Sequence, residues 1–293
     1  MDHLEEYRKA GKITAEMREF GKGLIKKGAS LLAVTDKIEK KIAELDAKPA
    51  FPVQISCNEI AAHFCPEEDD KTIFEEQLAS LDLGIHVDGF IADTAVTVDL
   101  SGSYSDLLKA SEEALKEAIK IIQIGTPLNE IGKTIGETIE SFGFKPIRNL
   151  TGHGLGEYNV HDFPTVPNFD NGDITPLEKD MVIAVEPFAT SGNGMIQEKG
   201  EASVFDMVGR KSVRTGFVRD IQKEIETYSG LPFASRWLTR KFSEPKVRYA
   251  LNQFRQLGIL RSYPPLVERS GEVVSQAEHT LLIDDKVEIL TKG

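Results

Sequence analysis

One phrase of this sequence occurs twice, and the repetition constrains the fold more than any other feature. "GASLLAVTDKIEKKIAELDAKP" (28–49) aligns without gaps on "GTPLNEIGKTIGETIESFGFKP" (125–146). Gly28 matches Gly125, Leu31 matches Leu128, Ile38 matches Ile135, Ile42 matches Ile139, and Lys48-Pro49 matches Lys145-Pro146. Apolar residues return at three- and four-residue steps, the spacing of one helix face, behind a glycine that punctuates the start. Amphipathic helices can align by chance, but the shared glycine and Lys-Pro ends favour a duplication. Each copy is followed by an irregular stretch with histidine, "CNEIAAHF" holding His63 and "GHGLGEYNVH" holding His153 and His161, and then by β-rich sequence. Two similar helix-plus-strand halves are expected, with a site at their seam.

A chain of 293 residues, 40% hydrophobic, can bury one large domain or a main domain carrying a smaller one. Its net charge of −12 gives the whole molecule no pull on nucleic acid or anionic lipid. The two cysteines, Cys57 and Cys65, are too few for a disulfide framework and wrongly spaced for a Cys-x-x-Cys site, which fits a reducing cytoplasm. The N-terminal stretch "MDHLEEYRKAGKITAEMREF" is charged and helix-patterned, without the apolar core of a signal peptide, and no stretch reaches the length of a membrane span. A soluble, cytoplasmic protein is expected.

Between residues 206 and 270 the texture changes to three helical patterns carrying 13 basic against 6 acidic residues, a local charge of +7 that leaves −19 elsewhere. This reads as an insertion, giving one domain of residues 1–205 plus 271–293 and a helical subdomain of 206–270. A basic solvated surface is its simpler reading. A weak ribosome contact through Arg236, Arg240 and Lys241 is the sharper one.

"DLGIHVDGFIADTAVTVDL" (82–100) places two carboxylates in a stretch built like a buried hairpin. Asp88-Gly89 is a strong two-residue turn signal, because both turn positions need positive φ. Residues whose numbers sum to 177 then face each other, so Asp82 lies opposite Ala95 and Gly84 opposite Asp93. The aspartates become diagonal neighbours, with Cα atoms roughly 7–8 Å apart. The other face, with Leu83, Ile85, Val87, Phe90, Val96 and Val98, is core. Adjacent buried carboxylates repel, and the flanking strand positions offer no Lys or Arg to pair them. Divalent cations resolve the conflict. Three more stretches add ligands: His153 between two glycines, Glu186 at the end of "DMVIAVE", and Glu278 within a strand read from "SQAEHTLLI". Four carboxylates and an imidazole suit Mn, Fe, Co or Zn as divalent ions rather than a thiolate zinc centre.

The order Asp82, Asp93, His153, Glu186, Glu278, within "DLGIHVDGFIAD", "GHGLGEYNVH", "VEPF" and "QAEHT", closely resembles type II methionine aminopeptidases of the archaeal kind, pita-bread metallopeptidases. The likeness spans nearly the whole chain and includes the helical insertion before the last ligand. It implies an α+β pita-bread fold, two pseudo-symmetric halves around a curved, mainly antiparallel sheet, with a winged-helix-like insertion. It also implies two divalent metal ions: Asp82 chelates one, Asp93 and Glu278 bridge both, and His153 and Glu186 bind the other. By the same resemblance Phe51, His63, Val160, His161 and Tyr263 line the methionine pocket or contact the scissile peptide, and His63, His161 and Glu186 carry catalytic roles. The activity implied is removal of initiator methionine, ahead of small second residues, from nascent chains by a monomeric cytoplasmic enzyme without an N-terminal tether. The alternatives are a prolidase or Xaa-Pro aminopeptidase of the same fold, and a noncatalytic binding homologue; five intact ligand positions argue against the last.

Overall fold

Gly28 and Gly125 open equivalent turns, with φ of 86° and 88°, a conformation that only glycine adopts without strain. Gly28 N donates to Phe74 O (2.7 Å) and Leu31 N to Thr72 O (3.0 Å); Gly125 N donates to Leu177 O (2.8 Å) and Leu128 N to Thr175 O (3.0 Å). The repeat is thus carried into matching backbone bonds as well as matching sequence. The computed structural model describes residues 3–293; Met1 and Asp2, the start of the helix-patterned N-terminal stretch, lie outside the described residues.

The helices are α1 (Leu4–Leu24), α2 (Leu31–Ala43), α3 (Ser105–Ile121), α4 (Leu128–Ser141), α5 (Gly216–Glu226), α6 (Ser235–Thr239) and α7 (Glu244–Gln256). The repeated phrases are α2 and α4. Their buried faces correspond: Leu31, Val34, Thr35, Ile38 and Ile42 in one; Leu128, Ile131, Gly132, Ile135, Gly136 and Ile139 in the other. Each is followed by a two-residue strand, Lys48–Pro49 against Leu78–Val87 and Lys145–Pro146 against Phe188–Thr190.

In the first half, Met17 of α1 and Leu31, Val34 and Ile38 of α2 pack on Ile55, Leu81, Leu83 and Ile85 of an antiparallel sheet. In the second, Ala114 of α3 and Ile131, Ile135 and Ile139 of α4 pack on Ile183, Val185 and Leu281. That second sheet runs in the order Glu288–Ile289, His279–Leu282, Val182–Val185, Thr151–Gly156, Asn159–Pro167. Each fully buried aliphatic side chain contributes about 1.5–3 kcal/mol by leaving water, so these two layers hold the sheets against their helices. The result is the expected α+β architecture in two similar halves.

The hairpin forms as the turn chemistry dictates. Leu78–Val87 pairs antiparallel with Phe90–Asp99, Asp82 faces Ala95 and Gly84 faces Asp93, around Asp88 and Gly89 at φ 50° and 97°. Glu278 departs from expectation: it sits between Val274–Gln276 and His279–Leu282 rather than within a strand. Those two strands belong to different sheets, and the chain crosses from one to the other at this residue.

Between the second half and Glu278, α5, α6 and α7 share a hydrophobic cluster with Phe205, Phe233 and Leu260, in which Val218, Ile221, Leu238, Val247 and Phe254 are buried. The strands here, Val204–Met207, Phe233–Ala234 and Leu260–Tyr263, form a sheet of their own. Arg236 does not offer a charge to solvent. It is completely buried, donating to Pro66 O (2.9 Å), Asp36 Oδ1 (2.9 Å) and Glu39 Oε1 (2.8 Å). Arg240 pairs with Asp36 and Glu68, and Lys241 with Glu224. A buried guanidinium needs carboxylate partners, and Arg236 finds both of its own on α2, so it binds inward while Arg240 and Lys241 stay exposed. Among the described residues no helix is long and apolar enough to cross a membrane.

Candidate metal centre

All ten side chains singled out from the sequence line one cavity of about 230 Å³: Phe51, His63, Asp82, Asp93, His153, Val160, His161, Glu186, Tyr263 and Glu278. The hairpin brings Asp82 and Asp93 from the first half. His153 comes from Thr151–Gly156, Glu186 from the turn after Val182–Val185, and Glu278 from the crossing between sheets. The carboxylates therefore gather where the halves meet.

Close backbone approach explains the local glycines. A Cβ on Gly84 would run into the Phe51 ring, and one on Gly152 or Gly154 into the carbonyls of Ala184 or Phe163. Glycine at these positions lets Phe51 lie against the Asp82 strand and lets His153 sit deep between its neighbours.

Ligand atoms of Asp93, His153 and Glu278 all lie within 4.8 Å of one another. His153 Nε2 is 3.5 Å from Glu186 Oε1 and 3.9 Å from Asp93 Oδ2. His153 Nδ1 lies 3.1 Å from Gly154 O; a carbonyl only accepts, so Nδ1 carries the proton and Nε2 presents a lone pair to the carboxylates. Asp82 Oδ1 and Asp93 Oδ1 are buried without a hydrogen-bond partner among the described residues.

Among the described residues no Lys or Arg lines the cavity. Burial pushes Asp82 up to about 7, opposed by a hydrogen bond from Gln276. Burial, then the charge of Asp82, raises Asp93 well above the carboxylate range. Glu186 and Glu278 are raised by burial first and by the neighbouring carboxylates second. Burial, then His161, lowers His153 to about 3, so its imidazole is neutral at physiological pH. Four acids that resist ionisation, two orphaned oxygens and a neutral imidazole form a donor set that divalent cations complete. The residues present fit such ions.

Beside this cluster stand aromatic and histidine side chains. The His63 ring meets Tyr263 edge-on at 5.4 Å, and His161 meets His153 at 4.7 Å. Burial, then His161, lowers His63 to about 4, with the Pro264 carbonyl acting the other way. His63 Nδ1 is buried without a hydrogen-bond partner among the described residues. His161 is lowered by burial and then by Arg261.

Several lining residues have no counterpart in the sequence reading: Gln54, Asn149, Phe188, Val204, Pro232 and Leu266. Gln276 was also missed, although it stands two residues before Glu278; its Nε2 donates to Glu186 Oε2 at 3.3 Å. Asp206, which accepts from Tyr263 OH (3.1 Å) and Arg261 Nη2 (2.6 Å), gave no signal because its partners are more than fifty residues away.

Residues 5–216 match the model of metallopeptidase family M24. A methionine aminopeptidase of Archaeoglobus fulgidus is 44% identical over 283 residues, 96% of this chain and 95% of that one. One of Methanocaldococcus jannaschii is 43% identical over 295 residues, 99% of each. Among solved structures, a methionine aminopeptidase of Thermotoga maritima superposes with a TM-score of 0.73 at 25% identity, covering 99% of this chain and 97% of that one. The two similar halves and the carboxylate cluster at their seam are those of the pita-bread fold, and this chain belongs to metallopeptidase family M24.

Proposed function

We propose that this protein is a metal-dependent methionyl aminopeptidase, a hydrolase that removes the N-terminal methionine from peptides and nascent proteins. The observation that carries the reading is the cluster of four buried carboxylates and a neutral His153 with no cationic side chain among the described residues, in a chain 44% identical to a methionine aminopeptidase along nearly its whole length. The prolidase reading is disfavoured by that full-length similarity, and the noncatalytic reading by the five intact carboxylate and imidazole positions.

In the finer reading the centre holds two divalent ions, drawn from Co, Mn, Fe or Zn, on Asp82, Asp93, His153, Glu186 and Glu278. Such ions supply a Lewis acid that lowers the pKa of water and polarises the scissile carbonyl. Glu186, kept basic only by that neighbouring charge, moves a proton from the attacking water to the leaving nitrogen. His63, neutral and with its Nδ1 unpartnered among the described residues, holds the scissile N–H. His161, also neutral, donates to the developing oxyanion without adding a positive charge that would repel the cations. Phe51, Val160 and Tyr263 present an apolar wall to an unbranched, polarizable methionine side chain.

The same reading covers organisation and partners. Residues 1–205 plus 271–293 form the catalytic domain and 206–270 a winged-helix-like insertion. The enzyme is a cytoplasmic monomer acting on chains with small second residues, without a membrane or a specific nucleic-acid partner. Any weak ribosome contact runs through the exposed Arg240 and Lys241 and the outward-facing Arg219 and Lys223 of the insertion, since Arg236 is buried.

The test is release of methionine from Met-Ala-Ser by the purified protein, after chelation and after restoring each divalent ion in turn. Release should depend on added metal, fall at least about 100-fold in Asp93→Ala, and exceed hydrolysis of Xaa-Pro peptides. Metal-independent release, or a preference for Xaa-Pro, would reject the assignment.

A further inference from the structure

The seam that carries the carboxylates is not closed by a backbone ladder. Residues 92–98 of the hairpin and residues 275–281 run antiparallel, with an isolated bridge at Val96 and Ala277. The backbone bond across it runs from Glu278 N to Ala95 O at 3.2 Å. On either side of that bond a threonine hydroxyl takes the place of backbone groups. Thr280 Oγ1 accepts from Asp93 N (2.7 Å) and donates to Asp93 O (2.8 Å). Thr97 Oγ1 accepts from Gln276 N (2.8 Å) and donates to Gln276 O (2.8 Å).

The two clamps are reciprocal. "DTAVT" (93–97) and "QAEHT" (276–280) both place a threonine four residues after the residue that the opposite threonine grips. In extended chain that spacing keeps both side chains on one face. A third hydroxyl, Thr94 Oγ1, donates to Glu278 O (2.8 Å) and accepts from the buried Arg18 (2.9 Å). Thr94 and Thr280 are fully buried, and Asp93, Gln276 and Glu278 nearly so. Each hydroxyl inserted between two backbones sets their separation. The gripped residues are Asp93, a carboxylate of the cluster, and Gln276, whose amide holds Glu186.

We propose that Thr280 and Thr97 are positioning residues: their reciprocal hydroxyl clamps fix the spacing of Asp93, Glu278 and Glu186 across the seam and thereby set the affinity of the centre for divalent ions. The inference rests on the metal-centre reading of the cavity. A valine at position 280 keeps the shape of threonine but leaves Asp93 N–H and C=O buried without partners, so the strand must shift to recover them. A serine keeps the hydroxyl. Outer hydrogen-bond partners of metal ligands typically change affinity by about 10- to 100-fold, the range expected for these clamps.

The experiment titrates Mn²⁺ into chelated full-length protein, reading affinity by competition with a fluorescent chelator and ion–ion coupling by electron paramagnetic resonance. Thr280→Val should weaken binding about 10- to 100-fold and alter the coupling signal, and Thr280→Ser should restore both. Thr35→Val is the control. Thr35 Oγ1 bonds Leu31 O inside α2, buried and away from the cavity, so its loss should lower the melting temperature and leave Mn²⁺ affinity unchanged. If Thr280→Val does not fold, Thr97→Val with Thr97→Ser reads the other clamp in the same way. Wild-type affinity and coupling in the valine variants, serine variants as weak as valine, or an equal affinity loss in Thr35→Val would overturn the proposal. Failure of the wild-type chain to bind any divalent ion would instead overturn the metal-centre reading itself.

Discussion

His63 and His161 face the same cavity as the carboxylates, yet their physical situations differ from that of His153. The Nε2 of His153 points into the carboxylate cluster, 3.5 Å from Glu186. His63 instead has its Nδ1 unpartnered and its ring against Tyr263, and His161 lies between His153 and Tyr263. Neutral side chains in those places can hold a peptide without holding a metal. His63→Ala and His161→Ala should therefore each lower kcat on the order of 100-fold, the cost of removing a transition-state hydrogen bond. Metal content, measured by elemental analysis, should stay near wild type. Parallel loss of metal in both variants would place these histidines among the ligands rather than against the scissile peptide.

At the scale of elements, the decisive contact is the one that binds α6 to α2. Arg236 lies wholly out of solvent, and Trp237 Nε1 adds a hydrogen bond to the same Glu39 carboxylate at 3.1 Å. Ser203 Oγ, next to Val204, donates to Cys65 O at 2.7 Å. These bonds seat the segment that supplies Val204, Pro232 and Tyr263 to the cavity against the loop that supplies His63. Arg236→Met removes the cation and leaves Glu39, itself largely buried, without charge compensation. A loss of about 3–5 kcal/mol is expected, measured by urea unfolding. Charge reversal at the exposed Arg219 and Lys223 should leave stability within about 0.5 kcal/mol while abolishing any salt-dependent co-sedimentation with ribosomes. An Arg236→Met protein as stable as wild type would mean that the network holds nothing.

The whole molecule inherits a pH dependence from its buried acids. Asp82 is raised to about 7, and Asp93, Glu186 and Glu278 well above their ordinary range, each by burial first. Without metal, the folded chain therefore binds more protons than the unfolded chain, whose carboxyl groups ionise near pH ~4. A raised acid contributes stability below its unfolded pKa and loses it as pH rises through the folded value. The buried histidines act oppositely. His63 and His153, depressed to about 4 and 3, withdraw stability only as pH falls below roughly 6.5, their unfolded value. Between roughly pH 6.5 and 8 the acids dominate, so the melting temperature of chelated protein should fall with rising pH. Saturating divalent ion should raise it and flatten the slope, because cations favour the ionised carboxylates. Calorimetry across that window checks both signs; a chelated protein that grows more stable toward pH 8 would contradict the burial of these acids.

What the sequence determined by itself was local or repetitive. The period of α2 and α4, the Asp88-Gly89 turn, and the register that puts Asp82 and Asp93 on one face follow from side-chain spacing and turn chemistry within a few residues. The repeated phrase announced the two halves because each copy carries the same helix start and the same two-residue strand after it. Tertiary structure alone decided what depends on distant partners. Glu278 lies at a crossing between sheets, Gln276 reaches Glu186 across ninety residues of chain, and Asp206 anchors Tyr263. Arg236, which reads as a surface charge in a basic segment, becomes the most deeply buried cation because its carboxylate partners stand some two hundred residues away on α2. Periodicity reports which face of an element is apolar; which polar group meets which is fixed only when the halves and the insertion pack together.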